Sequence, residues 1–147
     1  MGGKMKNFFF ISVLILIDQL SKGVARKFFV EPMEVISNFF VLKTSQNDGI
    51  AFSIPFPKLA LIILTIVVLG GILWFMKHKK VSSVEETAFL LIFAGAAGNL
   101  IDRIFLGSVT DFLAFWSFPI FNFADVFITF GIVLFLFEEV ISRRVEK

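Results

Sequence analysis

The chain has 147 residues, 57% of them hydrophobic and only 18% charged, with 22 Phe, one His and no Cys. A soluble domain of this length could not cover so much apolar surface, and a net charge of +2 spread over short clusters presents no basic face to nucleic acid. Without Cys there is no disulfide, thiolate metal site or cysteine nucleophile, and the lone His78 excludes a two-histidine zinc helix, so carboxylates, Lys, Ser and Thr are left to carry any chemistry.

One domain is expected over residues 1–147, and about 20 mostly apolar residues suffice for a helix to span a bilayer. The first such run is 7–28. Lys4 and Lys6 precede it as they would a cleaved leader, but Asp18, Gln19 and Lys22 interrupt it and no small-residue cleavage site follows, so it reads as a retained helix. The connection 29–58 holds two short stretches rich in β-branched and aromatic residues, 34–36 and 39–44, and closes on Pro55 and Pro57. A small sheet is expected there. The second span, 59–76, is interrupted only by Thr65 and Gly70-Gly71, and the third, 87–106, carries Asn99, Asp102 and Arg103 near its far end. In the loop 107–121, Phe112, Phe115, Trp116 and Phe118 suit a membrane–water interface. The fourth span, 122–141, has Asp125 near its start. The expected fold is an all-α membrane protein, a bundle of four transmembrane helices with a small extracytoplasmic β-sheet between the first and second.

Lys4 and Lys6, then Lys77, Lys79 and Lys80, then Arg143, Arg144 and Lys147 fall on one side of a four-span chain. That side is expected to be cytoplasmic, with both termini on it. Ionisable groups inside spans cost about 2.5–3.5 kcal/mol each on insertion scales, which makes them candidate functional groups. In this orientation Asp18, Lys22, Asn99, Asp102, Arg103, Asn122 and Asp125 gather at the outer level, beside Asn47, Asp48 and Asp111 of the loops. Asp18 and Lys22, one turn apart, are expected to pair, and Arg103 to act as the counter-ion of Asp102. Gly95, Asn99 and Asp102 form one stripe, with Gly95 and Gly98 letting helices approach.

Asp111 and Asp125 differ from the other carboxylates in having no basic neighbour in sequence. Two such groups meeting in a low dielectric cannot both ionise easily, and the pair can supply a general acid and a general base. Spacing alone does not prefer Asp111 to Asp102. A transporter's proton relay would also use buried Asp and Lys, but it needs polar groups toward both faces, and the cytoplasmic halves carry almost none. A purely structural role suits Asp18 with Lys22 best.

Five segments in order carry a family resemblance over nearly the whole chain: Asp18-Gln19-Leu20-Ser21-Lys22, Asn47-Asp48-Gly49-Ile50-Ala51-Phe52, Gly95-Ala96-Ala97-Gly98-Asn99-Leu100-Ile101-Asp102-Arg103, Val109-Thr110-Asp111-Phe112 and Phe121-Asn122-Phe123-Ala124-Asp125. Together they resemble the prolipoprotein signal peptidases (signal peptidase II). Ala94 stands where many members carry the first Gly of a pair, and the stretch between Asp111 and Asp125 is shorter than in many. The resemblance implies an aspartyl protease of the bacterial cell membrane with Asp111 and Asp125 as its catalytic dyad and no cofactor or metal. It assigns supporting or substrate-binding positions to Asp18, Lys22, Asn47, Gly95, Asn99, Asp102, Arg103, Asn122 and Ala124. The implied partners are diacylglyceryl-modified prolipoproteins and membrane lipid, and the chain is expected to act as a monomer.

Overall fold

The computed structural model describes residues 2–49 and 56–145. The motif residues Ile50, Ala51 and Phe52, together with Pro55 and Lys147, lie outside the described residues, as do the side chains of Arg143 and Arg144. Four helices, α1 (Gly2–Phe28), α2 (Lys58–His78), α3 (Ser83–Phe105) and α4 (Phe123–Val145), are joined by three strands, β1 (Met33–Ile36), β2 (Phe40–Asn47) and β3 (Val109–Phe115).

Each helix begins where local chemistry lets it. Pro57, which lacks the N–H that a helix start leaves unpaired, immediately precedes α2. Ser82 caps α3: its hydroxyl accepts the Glu85 N–H at 3.1 Å while the Glu85 carboxylate accepts the Ser82 N–H at 2.7 Å. Asn122 does the same for α4, accepting the Asp125 N–H at 3.0 Å as Asp125 accepts the Asn122 N–H at 3.2 Å. A helix start of this kind costs about 1 kcal/mol to lose.

α3 is the centre of the bundle, with α1, α2 and α4 packed around it. Its buried stripe is Ala88, Leu90, Ala94, Gly95, Gly98, Asn99 and Asp102. The glycines set its closest approaches: a Cβ at Gly95 would overlap the Ala124 carbonyl of α4, and one at Gly98 would stand 2.5 Å from an Asp18 carboxylate oxygen of α1. α2 contrasts with it. Leu61 is the one α2 residue that is fully buried, and much of the helix's apolar surface, such as Leu59, Ile63, Ile66, Val67 and Trp74, faces outward, as lipid permits and water does not. Among the described residues, three helical segments, Gly3–Phe28, Lys58–His78 and Ser83–Phe105, are long and apolar enough to cross a membrane. α4 is as long as α3, 23 residues, with Asp125 at one end and Glu138, Glu139 and Arg143 at the other.

The sheet is antiparallel in the order β1-β2-β3. It is therefore not confined to the connection between the first two helices, because its third strand comes from the segment between α3 and α4. Nor does Phe112 sit at an aromatic interface. It is 3% exposed and forms a core with Ala25 and Leu113, against which Phe29, Phe40, Leu42, Phe115, Phe121 and Phe123 pack. Trp116 and Phe118, by contrast, are well exposed. Thr44 ties the sheet to the end of α1, its N–H donating to the Phe29 carbonyl at 2.8 Å and its hydroxyl to the Ala25 carbonyl at 2.7 Å.

Candidate functional site

The polar groups collect where the ends of α1 and α3, the start of α4 and strands β2 and β3 meet. A fully buried Lys22 sits at their centre. Its ammonium lies 2.8 Å from Asp18 Oδ2, 3.7 Å from Asp102 Oδ2 and 2.9 Å from Asn99 Oδ1. The expected Asp18–Lys22 pair is thus present. Asp18 also accepts the Ala124 N–H at 2.9 Å, so α1 holds one of the unpaired donors at the start of α4.

Asp102 is anchored on every side. One carboxylate oxygen accepts from Gln19 Nε2 at 3.2 Å and the other from the Thr110 N–H at 2.9 Å, with Arg26 Nη1 3.9 Å away. Arg103 is not its counter-ion. Consecutive helical residues diverge by about 100°, so Asp102 points to α1 while Arg103 leaves toward the outer loop and donates to the Gly49 carbonyl at 3.2 Å. The Arg103 charge interacts first with Asp125 and Asp111, and only then with Asp102. Gln19 and Thr110, quoted only as motif members or a polar interruption, and Arg26, not singled out at all, also belong to this cluster. The signal for Arg26 was available, since Asp18, Lys22 and Arg26 recur every four residues on one face of a helix.

Asp111 stands on β3 opposite Ser45, and Asn47 lies two residues further along β2 on the same face. From that diagonal position Asn47 Nδ2 donates to Asp111 Oδ2 at 3.0 Å. Asn122 Nδ2 donates to Asp111 Oδ1 at 2.6 Å and to Asn99 Oδ1 at 3.2 Å. Asn99 Nδ2 in turn donates to Asp125 Oδ1 at 2.8 Å. Because Asn99 Oδ1 already receives Lys22 and Asn122, its amide has one orientation open to it, with the NH2 aimed at Asp125. Asn122 therefore joins the two carboxylates directly, holding Asp111 by its side chain and Asp125 by both halves of the helix cap.

Asp111 and Asp125 open onto one cavity of about 300 Å³, walled also by Asn47, Asn99 and Arg103, with Phe118, Pro119, Ile120 and Phe121 on one rim and Ile128 and Thr129 along α4. Asp102 does not line it. Burial pushes the Asp111 carboxyl from its ordinary 3.8 up to about 6, and the nearby Asp125 charge adds to the rise against the lowering by the Asn47 and Asn122 hydrogen bonds and Lys22. Gly95 contributes no group to the cavity; it sets the spacing of α3 and α4 that brings Asn99 to Asp125.

A family model described as signal peptidase (SPase) II matches residues 10–141. The chain is similar to the lipoprotein signal peptidase of Fusobacterium nucleatum subsp. nucleatum, at 40% identity over 99% of this chain and 93% of that one. Those of Caldicellulosiruptor bescii and Staphylococcus carnosus are 42% and 37% identical, over 83% and 94% of this chain and 82% and 92% of theirs. Two solved structures described as bacterial membrane enzymes, obtained by the in meso method at 2.3 and 1.9 Å, share the fold. The first superposes with a TM-score of 0.89 at 29% identity, covering 97% of this chain and 92% of its own. The second gives 0.81 at 30% identity, covering 90% and 91%. Motif order, fold and relatives agree along almost the whole length, and the chain belongs to the signal peptidase II family.

Proposed function

We propose that this protein is an aspartic endopeptidase that removes the signal peptides of bacterial prolipoproteins, cutting on the amino side of the diacylglyceryl-modified cysteine. The observation that carries this reading is the meeting of Asp111 and Asp125, from a strand and a helix start, on one cavity wall with Asn122 between them. With one proton on the pair, the ionised carboxylate takes a proton from water as its oxygen attacks the scissile carbonyl, while the protonated one donates to the carbonyl oxygen. Collapse of the tetrahedral species breaks the C–N bond, and a proton passes to the departing nitrogen, leaving a signal-peptide carboxylate and a free cysteine amine. Asn47, Asn99 and Asn122 hold the carboxylates in place, and the unpaired N–H groups at the start of α4 favour negative charge beside Asp125.

In this reading α4 completes four spans. Both termini face the cytoplasm, where the Lys4, Lys6, Lys77, Lys79 and Lys80 ends lie. The sheet and cavity face outward, at the depth where a lipid-anchored cysteine holds its own cleavage point. The chain is read as acting as a monomer. The test is incubation of purified protein with a lipidated precursor, alongside Asp111→Asn and Asp125→Asn. Either variant should fold and leave the precursor uncut. Full cleavage by either would refute the dyad.

A further inference from the structure

A signal helix in hydrocarbon makes all its peptide hydrogen bonds within itself. Its scissile carbonyl can meet a water only after the helix end unwinds, and the carbonyls freed by unwinding then need donors that lipid cannot provide. The amide side chains on the cavity wall are aimed at Asp111 and Asp125, and Arg103 donates to the Gly49 carbonyl. Thr129 is differently placed. Ser21, Thr65 and Thr87 return their hydroxyls to carbonyls of their own helices, on Asp18 at 2.7 Å, Leu61 at 2.8 Å and Ser83 at 2.9 Å. The Thr129 hydroxyl makes no hydrogen bond among the described residues, and does not turn back to a carbonyl of its own helix, that of Asp125, as those three do. Of the helix hydroxyls left unpaired, it is the one on the cavity wall.

We propose that Thr129 is a substrate-contacting residue whose hydroxyl donates to a main-chain carbonyl of the precursor on the signal-peptide side of the cut. The proposal rests on the peptidase reading above. One helical turn carries Thr129 about 5.4 Å along α4 from Asp125, away from the sheet and toward the body of the signal helix. An extended chain rises about 3.3 Å per residue, so the carbonyl served lies about two residues before the scissile bond. Since the contact is to main chain, it is blind to the precursor's side chains. It keeps the unwound segment extended across the dyad whatever its sequence.

Thr129→Val keeps the shape and removes the hydroxyl, and Thr129→Ser keeps the hydroxyl. With a lipidated precursor, T129V should lower kcat/KM about three- to tenfold, the range of one neutral hydrogen bond, while T129S stays within about twofold of the parent. T129V should unfold no earlier than the parent, because it deletes an unpaired polar group from an apolar surface. A second precursor with different side chains before the cut should show the same loss. The proposal is overturned by parental kcat/KM in T129V, by an equal loss in T129S, or by a lowered unfolding temperature in T129V. Parental protein and D125N on the same precursor decide the peptidase reading separately.

Discussion

Replacing Asp111 by Asn should abolish cleavage and yet leave the protein as stable as the parent, or more so, at neutral pH. The carboxyl is 3% exposed and its pKa is pushed from 3.8 to about 6 by burial and by Asp125. The rise from 3.8 to about 6 corresponds to ~3 kcal/mol. The sign follows from proton counting. Between about pH 4 and 6 the folded protein holds a proton on Asp111 that the unfolded chain has released, so stability falls as pH rises through that window and levels off above it. Asn cannot ionise, so the variant escapes this loss. Against it, Asn offers one acceptor where the carboxylate offers two. Asn47 and Asn122 both donate there, and leaving one unpaired costs about 1–3 kcal/mol. The net gain at neutral pH is then about 0–2 kcal/mol. The pH dependence is the sharper quantity. Thermal unfolding in detergent, followed by the fluorescence of Trp74 and Trp116, should show the variant gaining ~3 kcal/mol on the parent between about pH 4 and 6 and no more beyond. A stability difference that stays flat across that window would refute the placement of a buried, charge-opposed carboxyl at this position.

Two further substitutions probe the frame around Asp111 and Asp125, and a third serves as their control. Asn122→Ala removes the α4 cap and the link between the carboxylates together, so it should cost about 1–2 kcal/mol in thermal unfolding and about a hundredfold in cleavage rate. Gly95→Ala should destabilise by about 1–3 kcal/mol, because its methyl group meets the Ala124 carbonyl and Ile128, whereas Gly70→Ala on α2, where a Cβ meets nothing within 4 Å, should be neutral or mildly stabilising in the same melts.

The parts of the structure that were legible in the sequence are those in which one residue class repeats. The helices stand in long apolar runs, and β1 and β2 are marked by β-branched and aromatic residues before a proline. β3 was hidden for a physical reason. A strand is recognised by alternation when one face is wet, but Val109 to Leu113 are all buried, with Arg26 reaching Thr110 on one side and the cavity beside Asp111 on the other. Its Phe residues therefore read as interfacial when they are core. Asp102 and Arg103 were misread together because adjacency in sequence was taken for adjacency in space. Asn122 and Asp125 stood three apart in the sequence, but their part as the cap that starts α4 is seen only in the structure. The family likeness singled out Asp111 over Asp102. The structure gives a physical ground for that choice, since Asp102 is tied to Gln19, Thr110 and Lys22 while Asp111 opens to the cavity.

The charges behind the cavity bear on the chemistry although they do not line it. The carboxylates Asp18, Asp102, Asp111 and Asp125 lie at this end of the bundle with the cations Lys22, Arg26 and Arg103 among their neighbours. Lys22 and the partly exposed Arg26 balance Asp18 and Asp102. Arg103 is then the cation on the cavity wall with Asp111 and Asp125, while Lys22 acts on Asp111 from behind. Uncompensated charge is costly away from water, and the proposed mechanism needs one proton on the pair. Two protons would leave no base to take a proton from water, and none would leave no acid to polarise the carbonyl. The ion pairs on α1 thus do more than join helices. By cancelling Asp102 and Asp18 they leave Arg103 to face the two carboxylates on the cavity wall.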